Sequence, residues 1–262
     1  MSNEGQFSII SGMQTRSRKA EKALDNPGHM HEYVFKQTLA SFHWEMVEIA
    51  LEGYRDPMGI HGTILNLSPR DHAKTTIYAE TIPLWRIGLI PTTLLQVICS
   101  TTPLAKRRVR RIGSCIQYNP RYKELFGDLY PDTQDFAWSN EILEVKRDKE
   151  KVWAEEGSEE RDPTVIAFGI TTSVEGGRAT EQVFDDIVTT KNSRTEIGRQ
   201  AISEKFWMSF DPMLLPTGVQ RIIGTRYYPQ DFYAELIAKF DDERLYTHLY
   251  PEEDMPDFGQ VN

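Results

Sequence analysis

The sequence predicts an α/β domain built on a mostly parallel sheet, with helices covering both faces. Two observations predict it. Short apolar runs alternate with segments whose apolar residues recur at three- and four-residue steps, the pattern of strands joined by crossover helices. At one junction a strand runs through a tight turn into Ala73-Lys74-Thr75, the context in which such folds place an anion-binding loop.

The elements follow in order. Residues 1–28 are polar and broken by Asn26-Pro27-Gly28, which reads as a flexible lead-in to a domain over 29–250. From His31 to Tyr54, Phe35, Leu39, Phe42, Met46 and Ile49 form one helical stripe. Gly62 to Leu67 is a short buried strand. The turn Ser68 to His72 leads into a helix from about Ala73, which Pro83 kinks or ends. Thr93 to Ser100 is a strand. A helix opens at Pro103 and runs to Tyr118 on the stripe Ala105, Val109, Ile112, Ile116. Glu141 to Arg147 is expected at a sheet edge, and Lys146 to Asp162 is a charged loop. Thr164 to Ile170, Gln182 to Asp185 and Val219 to Ile223 are further strands. Arg194 to Phe210 and Gln230 to Phe240 are helices, and residues 251–262 read as an acidic linker.

Composition bounds the function. The chain has 262 residues, enough for one large domain with a full core. Two cysteines, Cys99 and Cys115, are too few for a disulfide framework or a cysteine-rich zinc site, which fits a reducing cytoplasm. There is no apolar run of about 18 residues and so no expected membrane span. The net charge of −9 argues against a surface that grips DNA over its whole area. Nucleic-acid contact would have to come from a local patch or an assembly of several chains.

The chemistry concentrates in two places. In Pro69-Arg70-Asp71-His72-Ala73-Lys74-Thr75-Thr76, backbone N–H groups at a helix start can cradle phosphate oxygens. Lys74 supplies a positive charge and Thr75 a hydroxyl for Mg²⁺. The regular motif has Gly where this chain has Ser68 and Ala73, so an ordinary helix start also fits the segment taken alone. In Val183-Phe184-Asp185-Asp186, two carboxylates end an apolar strand at the rim where open parallel sheets bind ligands. Asp185 would hold Mg²⁺ through water and Asp186 would orient and deprotonate a water molecule. A simple Asp-Asp turn is the alternative.

The basic run Lys106 to Arg111 puts Arg107, Arg110 and Arg111 opposite the apolar stripe of its helix. Arg107, Arg108, Arg110, Arg111 and Arg121 are candidates for contacting DNA phosphate or a neighbouring subunit's site, against a plain solvated face. His29 and His31 read as uncommitted rather than metal-binding.

Order and spacing together suggest a family. Phe42-His43-Trp44-Glu45, the 69–76 loop, Glu175-Gly176-Gly177-Arg178 ahead of Asp185-Asp186, and Ile223-Gly224-Thr225-Arg226-Tyr227 resemble, over residues 31–250, the ATPase domain of large terminase subunits of tailed bacteriophages. The resemblance implies a RecA-like, additional-strand P-loop ATPase, a mostly parallel central sheet flanked by helices, with ATP and Mg²⁺ as ligands. It implies Lys74 and Thr75 at the phosphate and metal positions, Asp185 as the metal carboxylate and Arg70 as an arginine within the loop. His43 falls at the adenine-side motif and Thr225 at the coupling motif. The usual catalytic Glu is Asp186 here, with Glu175 and Glu181 as substitutes. The implied partners are double-stranded DNA, the portal protein of the procapsid, the small terminase subunit and further copies in a ring, in the host cytoplasm. A C-terminal nuclease domain is expected to be absent. Another DNA-dependent P-loop ATPase, such as a helicase, or an assembly module with weak or no hydrolysis, are the competing readings.

Overall fold

The computed structural model describes residues 17–54, 62–132, 136–147, 162–174, 176–239 and 245–249. It contains a seven-stranded sheet in the order β3-β4-β2-β5-β6-β1-β7. The strands are β1 (Gly62–Leu67), β2 (Leu95–Cys99), β3 (Ile142–Leu143), β4 (Val165–Gly169), β5 (Ala179–Asp185), β6 (Leu214–Gly224) and β7 (Leu245–Leu249). Among the described residues only β3, at the edge, runs antiparallel to its neighbour; the other pairings are parallel. β6 lies between β1 and β5, and so supplies the additional strand between the loop-bearing strand and the Asp-bearing strand.

Both faces are covered. Ile64, Val97, Val183 and Ile223 point to a core shared with α1 (Arg18–Asp25), α2 (Pro27–Phe35), α3 (Ser41–Glu52) and the helices between β1 and β3. Leu65, Ile98, Phe184 and Ile222 point the other way, against α8 (Glu196–Lys205), the π-turn Phe206–Phe210 and α9 (Phe232–Lys239). This alternation is what a pleated strand buried on both faces requires. β1 and β2 are buried at every residue, so no polar–apolar alternation marks them: Thr63, Asn66 and Gln96 are buried beside the apolar residues.

The helix after the loop is in pieces. α4 (Lys74–Thr76) passes through a π-turn at Ile77–Thr81 into α5 (Ile82–Leu89). Pro83 does not end it. Pro83 sits in the first turn of α5, where the missing N–H costs least, and the widened turn before it, closed by Ile82 N–H to Ile77 O, absorbs the irregularity. α6 (Thr102–Tyr118) buries the four expected stripe residues, and α7 (Pro120–Phe126) follows it, capped by the Asn119 side chain.

Two expectations are corrected. The lead-in is not wholly irregular: residues 18–25 form α1, capped by Ser17, and Ala20 and Ala23 are buried. The single helix expected over 31–54 is two helices. Lys36 takes a left-handed conformation (φ 59°) at the end of α2, and the chain restarts at Ser41. The predicted charged loop at 146–162 and the linker at 251–262 fall mostly or wholly outside the described residues.

Candidate functional site

β1, β5 and β6 are parallel neighbours, so Leu67, Asp185 and Gly224 end side by side at one rim of the sheet. The chain leaves β1 through a loop containing two left-handed residues, Asp71 (φ 66°) and Ala73 (φ 53°). Ala73 stands where the regular motif has Gly. The loop keeps the backbone conformation that Gly would supply, at a cost of about 1–2 kcal/mol for a residue with a Cβ. That conformation turns Lys74 inward.

Lys74 is only 5% exposed. Its Nζ donates to Thr225 Oγ1 at 2.8 Å and to the carbonyls of Ser68 and Pro69 at 3.2 and 3.4 Å, and lies 3.8 Å from Asp186 Oδ1. Burial lowers its pKa, opposed by the charges of Asp186 and Asp185. The Thr75 hydroxyl donates to Asp185 Oδ1 at 2.8 Å, and Arg108 Nε donates to Asp185 Oδ2 at 2.8 Å. Asp186 turns out of β5 at φ 50°, held by its N–H to Ile223 O at 2.9 Å. Burial pushes the Asp186 carboxyl above the usual range, and Asp185 adds to this while Lys74 opposes it.

Thr225 closes the circuit. It accepts from Lys74 and donates to Ser68 O at 3.2 Å, joining the end of β6 to the loop. The glycine before it is required by packing: a Cβ on Gly224 would lie 1.9 Å from the Tyr233 hydroxyl. Arg70 reaches across the exposed side of the loop, with Nε 3.1 Å from Tyr227 OH. His43 lies beside the loop. Its Nδ1 accepts from Ala40 N–H at 3.1 Å, and Phe42 bridges the rings of His43 and His72, with centroids 3.9 and 5.8 Å away.

The sequence candidates therefore separate. Arg70, Asp71, His72, Ala73, Lys74, Thr75, Asp185, Asp186, Thr225 and His43 gather at one rim. Glu181 does not, and its candidacy as a base is corrected. It lies four residues earlier on β5, about 13 Å away at strand rise, and is 1% exposed. Tyr54 OH donates to it at 3.0 Å and Arg86 Nε at 2.8 Å, and Arg221 pairs with it. Burial pushes its pKa up, but Arg221 and Arg86 together hold it below the ordinary value. Gly176-Gly177-Arg178 precedes the start of β5, at the opposite end of that strand, with Arg178 N–H on Asp162. Glu175 lies outside the described residues.

The five arginines separate too. Arg107 and Arg110 are exposed, Arg111 pairs with Glu80, and Arg108 pairs with Asp185 of its own chain. Arg121 donates to Tyr33 O at 2.8 Å and packs on the Tyr33 ring, tying α7 to α2. Sequence reading missed Glu80 and Tyr227 as site neighbours. Glu80 was detectable only as an acid on the inward side of the helix that follows the loop.

No protein-family model and no curated protein matches the chain. Among solved structures, it is similar to the crystal structure of the HK97 bacteriophage large terminase. That match has a TM-score of 0.54 and 12% identity, and covers 94% of this chain and 46% of the other. A complex of S. cerevisiae Dbp5 with ADP and protein partners matches at a TM-score of 0.42 and 12% identity, covering 81% of this chain and 47% of the other. The chain spans less than half the length of the terminase it matches. Over nearly all of its length, then, this chain shares the mostly parallel α/β fold found in the HK97 bacteriophage large terminase.

Proposed function

We propose that the chain is the ATP-hydrolysing motor domain of a viral DNA-packaging terminase, which drives double-stranded DNA into a capsid. The observation that carries the reading is the rim itself: Lys74, Thr75, Asp185, Asp186 and Thr225, from three parallel strand ends, joined by side-chain contacts of 2.8–3.8 Å.

The residues fit a nucleotide and its metal. Left-handed Asp71 and Ala73 curve the loop so that successive N–H groups can face an anion. Thr75 and Asp185 would hold Mg²⁺, which when bound would neutralise phosphate charge. Among the described residues no cluster of three metal-ligating side chains occurs, and a Mg²⁺ that takes most of its ligands from phosphate and water needs none.

The protein's own steps follow from position. Lys74 neutralises β- and γ-phosphate oxygens. Asp186 orients the attacking water and accepts its proton as the γ-phosphoryl transfers, leaving ADP and phosphate. A carboxyl with a raised pKa is a better proton acceptor than an ordinary Asp. Thr225 couples the chemistry to the sheet: when Lys74 turns to the phosphates it gives up Thr225 and the Ser68 carbonyl, which frees the end of β6. Arg70 and His43 line the two approaches to the loop, toward phosphate and base.

In this reading the motor works as a ring on the portal protein of a procapsid in the host cytoplasm, with the small terminase subunit selecting the DNA. Exposed Arg107 and Arg110 on α6 face DNA or the next subunit. Hydrolysis by the assembled protein should rise when double-stranded DNA is added. Mixing an inactive Arg107→Ala/Arg110→Ala chain with inactive Lys74→Ala should restore part of the activity if these arginines act across subunits. ATP hydrolysis indifferent to DNA in the assembled state would remove the motor assignment.

A further inference from the structure

The proposed mechanism does not use the guanidinium that sits on its metal-side carboxylate. Both oxygens of Asp185 are taken, Oδ1 by the Thr75 hydroxyl and Oδ2 by Arg108 Nε, each at 2.8 Å. Asp185 is 98% buried by its 2% exposure, and the Arg108 side chain is 19% exposed. A divalent cation held by Thr75 and Asp185 therefore meets a carboxylate that already carries a partly buried cation.

A second carboxylate lies in the same cluster. Glu80, on the π-turn that continues the loop helix, is 6% exposed. Its Oε2 faces Arg111 Nε at 3.2 Å. Its Oε1 is buried without a hydrogen-bond partner among the described residues, a costly arrangement for an anion. Arg108 and Arg111 are three residues apart on α6 and so share a face. Arg108 interacts electrostatically with both Asp185 and Glu80. One carboxylate thus has its second oxygen taken by Arg108, and the other has an oxygen free for it.

We propose that Arg108 is a positioning residue, resting on the ATP reading above: it guards Asp185 and passes to Glu80 when nucleotide and a divalent cation bind. The exchange conserves charge, since the cation replaces Arg108 at Asp185 and Arg108 fills the open oxygen of Glu80. It also carries site occupancy into α6, the helix that exposes Arg107 and Arg110.

The test titrates Mn²⁺ into the full chain with ADP and reads the dissociation constant by water-proton relaxation. Arg108→Gln removes the competitor and should tighten Mn²⁺·ADP binding about tenfold. Glu80→Gln removes the receiving carboxylate and should weaken binding by about the same factor. In the double variant the effect of Glu80→Gln should vanish, because there is no arginine left to receive. A merely structural Glu80 would weaken binding equally in both backgrounds, and that result would overturn the handover. So would Arg108→Gln binding no tighter than wild type. If Glu80→Gln does not fold, ¹⁵N NMR of the wild-type Arg108 Nε–H decides alone: it should shift on adding Mg²⁺·ADP, and an unmoved signal at saturation refutes the proposal. A wild type that binds neither ADP nor Mn²⁺·ADP removes the ATP reading and the handover together. Binding that depends on Lys74 but is indifferent to Arg108 removes the handover alone.

Discussion

Glu181 and Asp185 stand on the same strand, four residues apart, and both are almost wholly buried. Around Glu181, Arg86 of α5, Arg221 of β6 and Tyr54 in the turn after α3 fill both carboxylate oxygens. β5 there pairs with β2 and β6, with a register shift against β6 between Ala179 and Glu181. Around Asp185 the partners are Thr75 and Arg108, and the neighbouring Asp186 and Glu80 each keep a buried oxygen without a hydrogen bond among the described residues. Three residues at this rim, Asp71, Ala73 and Asp186, are left-handed. A carboxylate with both oxygens paired fastens α5, β5 and β6 together, although Arg221 Nε keeps no hydrogen bond among the described residues. A rim whose carboxylates keep unpaired oxygens, on a strained backbone, can exchange partners, which is what binding and turnover require.

The contrast can be broken at its closed end first. Glu181→Gln leaves Arg221, fully buried, without its counter-charge. Denaturant unfolding should show a loss of about 3–5 kcal/mol, while the folded fraction keeps its nucleotide affinity. A loss below about 1 kcal/mol would mean that the network is not what holds these strands.

At the open end, burial pushes the Glu80 carboxyl up to about 7 from an ordinary 4.5. Between those values the folded chain binds a proton that the unfolded chain has released. The stability linked to Glu80 is therefore full below about pH 4.5 and is lost as pH rises to about 7, by about 3 kcal/mol in all. Relative to wild type, Glu80→Gln should gain stability across that window. A stability difference that stays flat with pH contradicts the assignment.

Asp186→Asn should cut turnover by about a hundredfold while leaving ATP binding within a few fold. Normal turnover in that variant would place the base elsewhere. The smallest effect is expected at Ala73. Ala73→Gly relieves the left-handed Cβ but adds freedom to the unfolded chain, for a net stabilisation of up to about 1 kcal/mol. Destabilisation would show that the Ala73 methyl makes a packing contribution that its strain conceals.

Much of this is legible in the sequence because β1 and β2 are short, mainly apolar segments bounded by turn residues, and because Lys74-Thr75 and Asp185-Asp186 sit where strands end. Other features are not. β7 is not legible because Leu245–Leu249 mixes polar and apolar residues; among the described residues it pairs with β1 at the sheet edge. The break between α2 and α3 depends on the left-handed Lys36, which apolar spacing cannot detect. The sequence makes Arg108 a candidate for DNA phosphate or a neighbouring subunit, not a partner of Asp185 in its own chain. Helical spacing assigns a long side chain to a face, not to a partner, and Arg108 reaches past its helix to β5. Glu181 reads as a candidate base in the sequence because its short sequence distance from Asp185 hides the fact that a strand carries the two residues apart.

The central claim is that Lys74 meets a nucleotide phosphate. Its most direct test is ATP hydrolysis by the purified chain with Mg²⁺, compared with Lys74→Ala at equal folded concentration. Phosphate release is expected from the wild type and none above background from Lys74→Ala, with both chains unfolding at closely similar temperatures. Equal hydrolysis by the two would contradict it.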